Sequence, residues 1–169
     1  MKKGIIIALS CIAIMFAACK KPVEPTPVDY TTNYVGNYLG QFTLTITSMN
    51  NSAVSNMAFP IDGIQMDIAK GTEINSITAT VTVDNESHQT SGTTTADKAD
   101  FGTIHLVIDK PDQNYYFDLD LMMEGNKPES DTLNIVGTFS GNGNFTMPTG
   151  EQVLLNEVSG DLNGKLVKQ

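Results

Sequence analysis

From Gly36 onward the chain alternates apolar and polar positions in short runs broken by turn residues, and no run continues as a helical stripe. Tyr38, Phe42, Leu44 and Ile46 fall on one face, and Gln41, Thr43, Thr45 and Thr47 on the other. A period of two with threonine outside marks a half-buried strand, because successive side chains point to opposite faces. The same spacing recurs in Ile64, Met66 and Ile68, and in Ile77, Ala79, Val81 and Val83. It returns in Ile104, Leu106 and Ile108, then in Tyr115, Phe117, Leu119 and Leu121. Asn50-Asn51, Lys70-Gly71, Asp84-Asn85, Asp109 to Asn114 and Gly125 to Ser130 punctuate these runs as turns.

Three stretches are less regular. Glu86 to Asp100 is polar and predicts a ragged strand around His88 to Ser91 followed by a loop. Leu133, Ile135 and Phe139 mark a strand. Ser140 to Asn144 then reads as a loop, and Phe145 with Met147 begins the return. Val158, Leu162 and Leu166, spaced by Gly160 and Gly164, form a closing strand with a bend or close backbone contact.

About eight strands on mostly short connections predict an all-β fold. A small eight-stranded, mostly antiparallel up-and-down barrel buries one face of every strand and leaves no open edge. A two-sheet β-sandwich satisfies the same alternation and is the alternative.

The N-terminus follows a different pattern. Met1-Lys2-Lys3 is a cationic start, Gly4 to Phe16 is apolar, and Ala17-Ala18 are the small residues that precede a signal-peptidase cut. The apolar run is short of the roughly 20 residues that span a bilayer as a helix. Phe16-Ala17-Ala18-Cys19 resembles the lipobox of bacterial lipoproteins, with Phe16 where leucine is usual. The resemblance implies a lipidated Cys19 and cleavage before it. Two or three acyl chains, at about 0.8 kcal/mol per buried CH₂, hold a protein firmly on a membrane. Pro22, Pro25 and Pro27 make the following residues an extended tether. The expected organisation is a signal peptide over 1–18, a tether over 19–32 and a single all-β domain over 33–169.

Tyr34-Val35-Gly36-Asn37-Tyr38-Leu39-Gly40-Gln41-Phe42-Thr43-Leu44, entered from this leader, resembles the calycin-like, lipocalin-like barrel lipoproteins of gut Bacteroidetes. The Gly-spaced close Gly160-Asp161-Leu162-Asn163-Gly164-Lys165-Leu166 is similar to theirs, while the Gly-x-Trp of classical relatives is absent. The resemblance implies a barrel carried on the cell envelope and brings no catalytic residues with it; Lys20 rather than aspartate after Cys19 points to the outer membrane.

Charge and cysteine narrow the partners. Ten lysines and no arginine face 19 acidic residues, a formal charge of −9. Such a chain offers no phosphate-binding surface, so no nucleic-acid partner is expected. The two cysteines are Cys11, inside the leader, and Cys19. The domain therefore has no thiol for a disulfide or for catalysis.

Candidate chemistry is sparse. Asp118 and Asp120 lie two apart on one strand face, roughly 6–7 Å from each other, a spacing that would suit a glycosidase pair. The usual reading of such a pair is a solvated strand face. Tyr116 and Met122 share that face, so the four residues form a possible ligand or partner surface. His105 points outward and His88 lies in the polar stretch; no zinc, nucleophile-elbow or phosphate-loop motif occurs. No catalytic residue, metal or cofactor is expected. Asp131-Thr132-Leu133 resembles the O-glycosylation motif of Bacteroidetes proteins, which implies Thr132 as a modified residue.

The function expected is a lipid-anchored, non-catalytic binding module. Its partner would be a small apolar molecule, a glycan or an envelope protein. A structural component of an outer-membrane complex, or a carboxylate-dependent hydrolase, is the alternative. Phe42, Leu44, Ile46, Val81, Leu106, Phe117 and Leu119 are large and regularly spaced, so they are expected to fill the lumen.

Overall fold

A computed structural model describes residues 25–169. Eight antiparallel strands follow one another around a closed barrel: β1 (Gly36–Met49), β2 (Ser52–Lys70), β3 (Ser76–Val83), β4 (Glu86–Thr94), β5 (Lys98–Lys110), β6 (Tyr115–Asn126), β7 (Thr132–Thr146) and β8 (Gln152–Lys168). β8 pairs back on β1, with Leu44 opposite Leu162 and Gly40 opposite Leu166. The up-and-down barrel is the architecture expected from the alternation, and the sandwich is excluded.

The turns follow from their residues. Asn50 and Asn51, and likewise Asp84 and Asn85, all have positive φ. Asparagine and aspartate tolerate that conformation, and two such residues in sequence give the tight hairpin whose twist matches the flanking strands. The Asn50 side chain also ties this turn to β8. Its amide nitrogen donates to the Leu154 carbonyl, and its oxygen accepts from the amides of Asn156 and Glu157.

The inward residues form one continuous apolar core. Every residue expected to fill the lumen is buried in it, joined by Tyr34, Tyr38, Phe101, Ile135 and Leu155 among others. Gly164 faces Phe42 across the β1–β8 pair, and a Cβ at that glycine would enter the Phe42 ring. Glycine is used there for close approach of a ring to backbone.

The two ends close differently. At one end Asp29 to Asn33 lie against the barrel. Tyr30 N–H donates to Asn75 Oδ1 at 2.7 Å, Lys70 pairs with Asp29, and Thr31 is fully buried. The Tyr38 hydroxyl donates to the Tyr34 carbonyl at 2.8 Å. At the other end Phe59 meets Tyr115, Phe117 and Phe145 at centroid distances of 5.4, 5.1 and 5.6 Å. The contacts with Tyr115 and Phe117 are edge-on, which suits the ring quadrupoles, and that with Phe145 is tilted.

Several local expectations are corrected. β2 begins at Ser52, twelve residues before the alternating run that revealed it. β5 begins at Lys98, where the polar loop was expected to continue to Asp100. β6 runs on through Gly125 to Asn126, into the expected turn. β7 runs unbroken through Ser140 to Asn144, and the chain turns only after Thr146. A Cβ at Gly141 would strike the Asp118 carbonyl of β6, so this glycine answers strand packing rather than turning.

Candidate functional site

β6 places Tyr116, Asp118, Asp120 and Met122 on the outer wall, because Tyr115, Phe117, Leu119, Leu121 and Met123 take the inner face. Met122 is 59% exposed, an unusual position for a large apolar side chain. Tyr116 is half-buried beside its β5 neighbour Asp109.

The register of β5 against β6 adds a residue to this surface. His105 is directly opposite Asp120 and its ring lies between both carboxylates. Nδ1 is 3.0 Å from Asp120 Oδ1, and Nε2 is 3.2 Å from Asp118 Oδ1. A neutral imidazole has one N–H, so both contacts become hydrogen bonds only in the protonated ring. Sequence reading placed His105 outward without a role. The signal was available in its parity and in the short β5–β6 connection, which fixes the register. Both carboxylates lie on the outer wall, with side chains 34% and 62% exposed.

The wall around Asp120 and Met122 is grooved. A depression of about 520 Å³ is lined by Thr103, Asp120, Met122, Thr138, Ser140, Ser159 and Asp161, with Thr47 at one side. It adjoins a second of about 380 Å³ through Thr103, Met122 and Thr138, and a third of about 280 Å³ through Ser140 and Ser159. Together they cross β5, β6, β7, β8 and β1. Short outward residues on β7 and β8 make the floor: Thr138, Ser140 and Ser159 follow one another across the register.

Thr132 opens β7. Its N–H donates to the Glu129 carbonyl at 3.1 Å and its carbonyl accepts from Glu129 N–H at 3.2 Å, so a rigid turn presents it half-exposed. Cys19 lies outside the described residues. Among the described residues no group of three His, Cys, Asp or Glu is placed to hold a metal, and no helix is long and apolar enough to cross a membrane.

Charge perturbations fall at both ends of the barrel. The Lys70 ammonium, then the Thr31 hydroxyl and N–H, lower the Asp29 carboxyl to about 2. Burial, helped by the charge of Asp97, raises the Tyr34 phenol to about 12. Tyr38 and Tyr115 are also raised, chiefly by burial. These groups hold the fold and are not aimed at the groove. No protein-family model matches the chain, and no curated protein matches it.

Proposed function

We propose that this chain is a lipid-anchored cell-envelope protein whose barrel is a non-catalytic binding module, engaging a glycan or an envelope partner through its outer wall. The observation that carries this reading is the contrast between lumen and wall. The lumen is packed with the chain's own side chains, which argues against a small apolar molecule held inside. The wall bears a long groove centred on Asp120 and the exposed Met122. An apolar interior with a polar exterior is the reverse of a membrane-spanning barrel. The lipid implied at Cys19 supplies the attachment to the outer membrane that the fold does not.

An assembly role is the second reading. β3 pairs only with Gln65 to Lys70 of β2, which leaves the earlier part of β2 without a β3 partner along its outer edge. That edge is blunted by Pro60 and by register shifts on either side of it. The binding reading is therefore preferred.

Two experiments test it. Replacing Cys19 by serine should move the protein out of the detergent-rich phase; retention there contradicts the anchor. Native mass spectrometry of protein purified from its source should show a retained glycan or protein, lost on Asp120→Ala/Met122→Ala. A bare chain, together with no binding across glycan and envelope-protein panels, contradicts the module.

A further inference from the structure

The outer-wall groove has a one-sided charge. Asp100 and Glu124 line its β5–β6 end, Asp120 and Asp161 its centre, and Glu157 its far end; no lysine lines any of the three depressions. Of these carboxylates Glu124 has a lysine partner, Lys98 at 2.7 Å. Met122 stands between the first two depressions, and the ring that lines the groove, Phe139, is buried toward the lumen. The groove thus combines carboxylates, hydroxyls and one flexible thioether, without an aromatic platform on its surface.

Resting on the reading of this wall as a contact surface, we propose that the occupant is an extended, lysine- or arginine-rich polypeptide segment. Carboxylates spread along these depressions raise the local concentration of a cationic chain and set its register. Met122 adapts its shape to aliphatic stems, which lysine and arginine lay along apolar surface while their charged heads stay solvated. Backbone amides of such a segment would meet the hydroxyls of Thr138, Ser140 and Ser159.

The test titrates the full chain, in detergent micelles, with a fluorescent peptide of alternating lysine and alanine, its acetyl-lysine counterpart and a neutral oligosaccharide. Asp120→Lys/Asp161→Lys should weaken the lysine peptide at least tenfold, and Met122→Ala about threefold. Asp112→Lys/Glu73→Lys makes the same change in net charge at exposed turns away from the groove and should alter binding less than twofold. All these positions are exposed, and unchanged thermal midpoints will confirm folding. The proposal is overturned if the lysine peptide does not bind, if the acetylated peptide binds equally, or if the control reversal weakens binding as much as the groove reversal. Should the oligosaccharide bind and respond to the groove variants while the peptide does not, the occupant is wrong and the wall remains the contact surface. If no ligand responds to them, both readings fail.

Discussion

The joint between β7 and β8 and the joint between β4 and β5 are built from opposite materials. β7 pairs with β8 from Thr132 to Thr146, interrupted by one shift, and sends Leu133, Ile135, Phe139 and Phe145 into the lumen. β4 pairs with β5 only at Thr93–Asp100 and Thr94–Ala99. Its residues on the Val81 face are His88, Thr90, Gly92 and Thr94. A strand that brings no apolar side chain gains little from docking along its full length, because burial of apolar surface supplies most of the driving force. The weak joint is held by side chains instead. The Thr90 hydroxyl lies 2.9 Å from the Phe101 carbonyl and 3.2 Å from the Thr103 carbonyl, spanning the β5 bulge. Gly102 at that bulge has φ +65° and donates its N–H to Asp100 Oδ1. At the far end Lys110 reaches across to Asp84. His88 Nε2 is buried in this region without a protein partner.

The strong joint should break hardest. Leu133→Ala removes a fully buried side chain, and we expect a loss of about 2–5 kcal/mol in chemical denaturation. Gly141→Ala is next, at about 1–3 kcal/mol, because the added methyl meets the β6 backbone at Asp118 rather than a movable side chain. It should also disturb the His105 ring, visible as a change in its imidazole NMR signals. Thr90→Val keeps the volume and deletes one donor, for a loss of about 1 kcal/mol. Its more telling readout is hydrogen exchange: amides of β4 and of β5 from Gly102 onward should speed up while those of β7 and β8 do not. Equal acceleration everywhere would show that the two joints open as one unit.

Alkaline titration sharpens the comparison at the plugged end. The Tyr34 phenol is raised to about 12 from its ordinary 10, so the folded state resists losing that proton. A group raised on folding contributes stability that is whole below the unfolded value and lost as pH climbs through the folded one. Stability should therefore fall between about pH 10 and 12, and Tyr34→Phe should flatten that fall. Asp29 has the opposite sign. Its lowered carboxyl contributes above the ordinary carboxylate range, and the contribution disappears as pH drops toward 2.

Strands with one regular apolar face were legible in the sequence at either joint, and the irregular ones were not. Alternation found β1, β3, β6 and most of β5, because each buries one face against the lumen. It missed Ser52 to Gly63, where small residues, Pro60 and Gly63 blur the period, Ile61 alone among the described residues is fully buried in the core, and Val54, Met57 and Phe59 are only partly buried against it. It underestimated β4, whose inner face is polar and whose regularity comes from pairing with β3 along its length. It cut β7 at Ser140 because glycines there suggested a turn, although Gly141 answers the closeness of β6. The outward set on β6 followed directly from the period of two. The groove did not, since it is assembled from strands far apart in the chain, and the place of His105 needed the β5–β6 register as well as its parity.

The central claim is that contact is made on the wall and the lumen is closed. Methionine methyl NMR tests it most directly, because Met122 is exposed in the groove while Met66 and Met123 are buried in the core. On titration with the lysine peptide, the Met122 methyl should shift and broaden while Met66 and Met123 keep their positions. An apolar fatty-acid probe should move none of the three. Shifts at Met66 or Met123 with either ligand, and a silent Met122, would contradict the account.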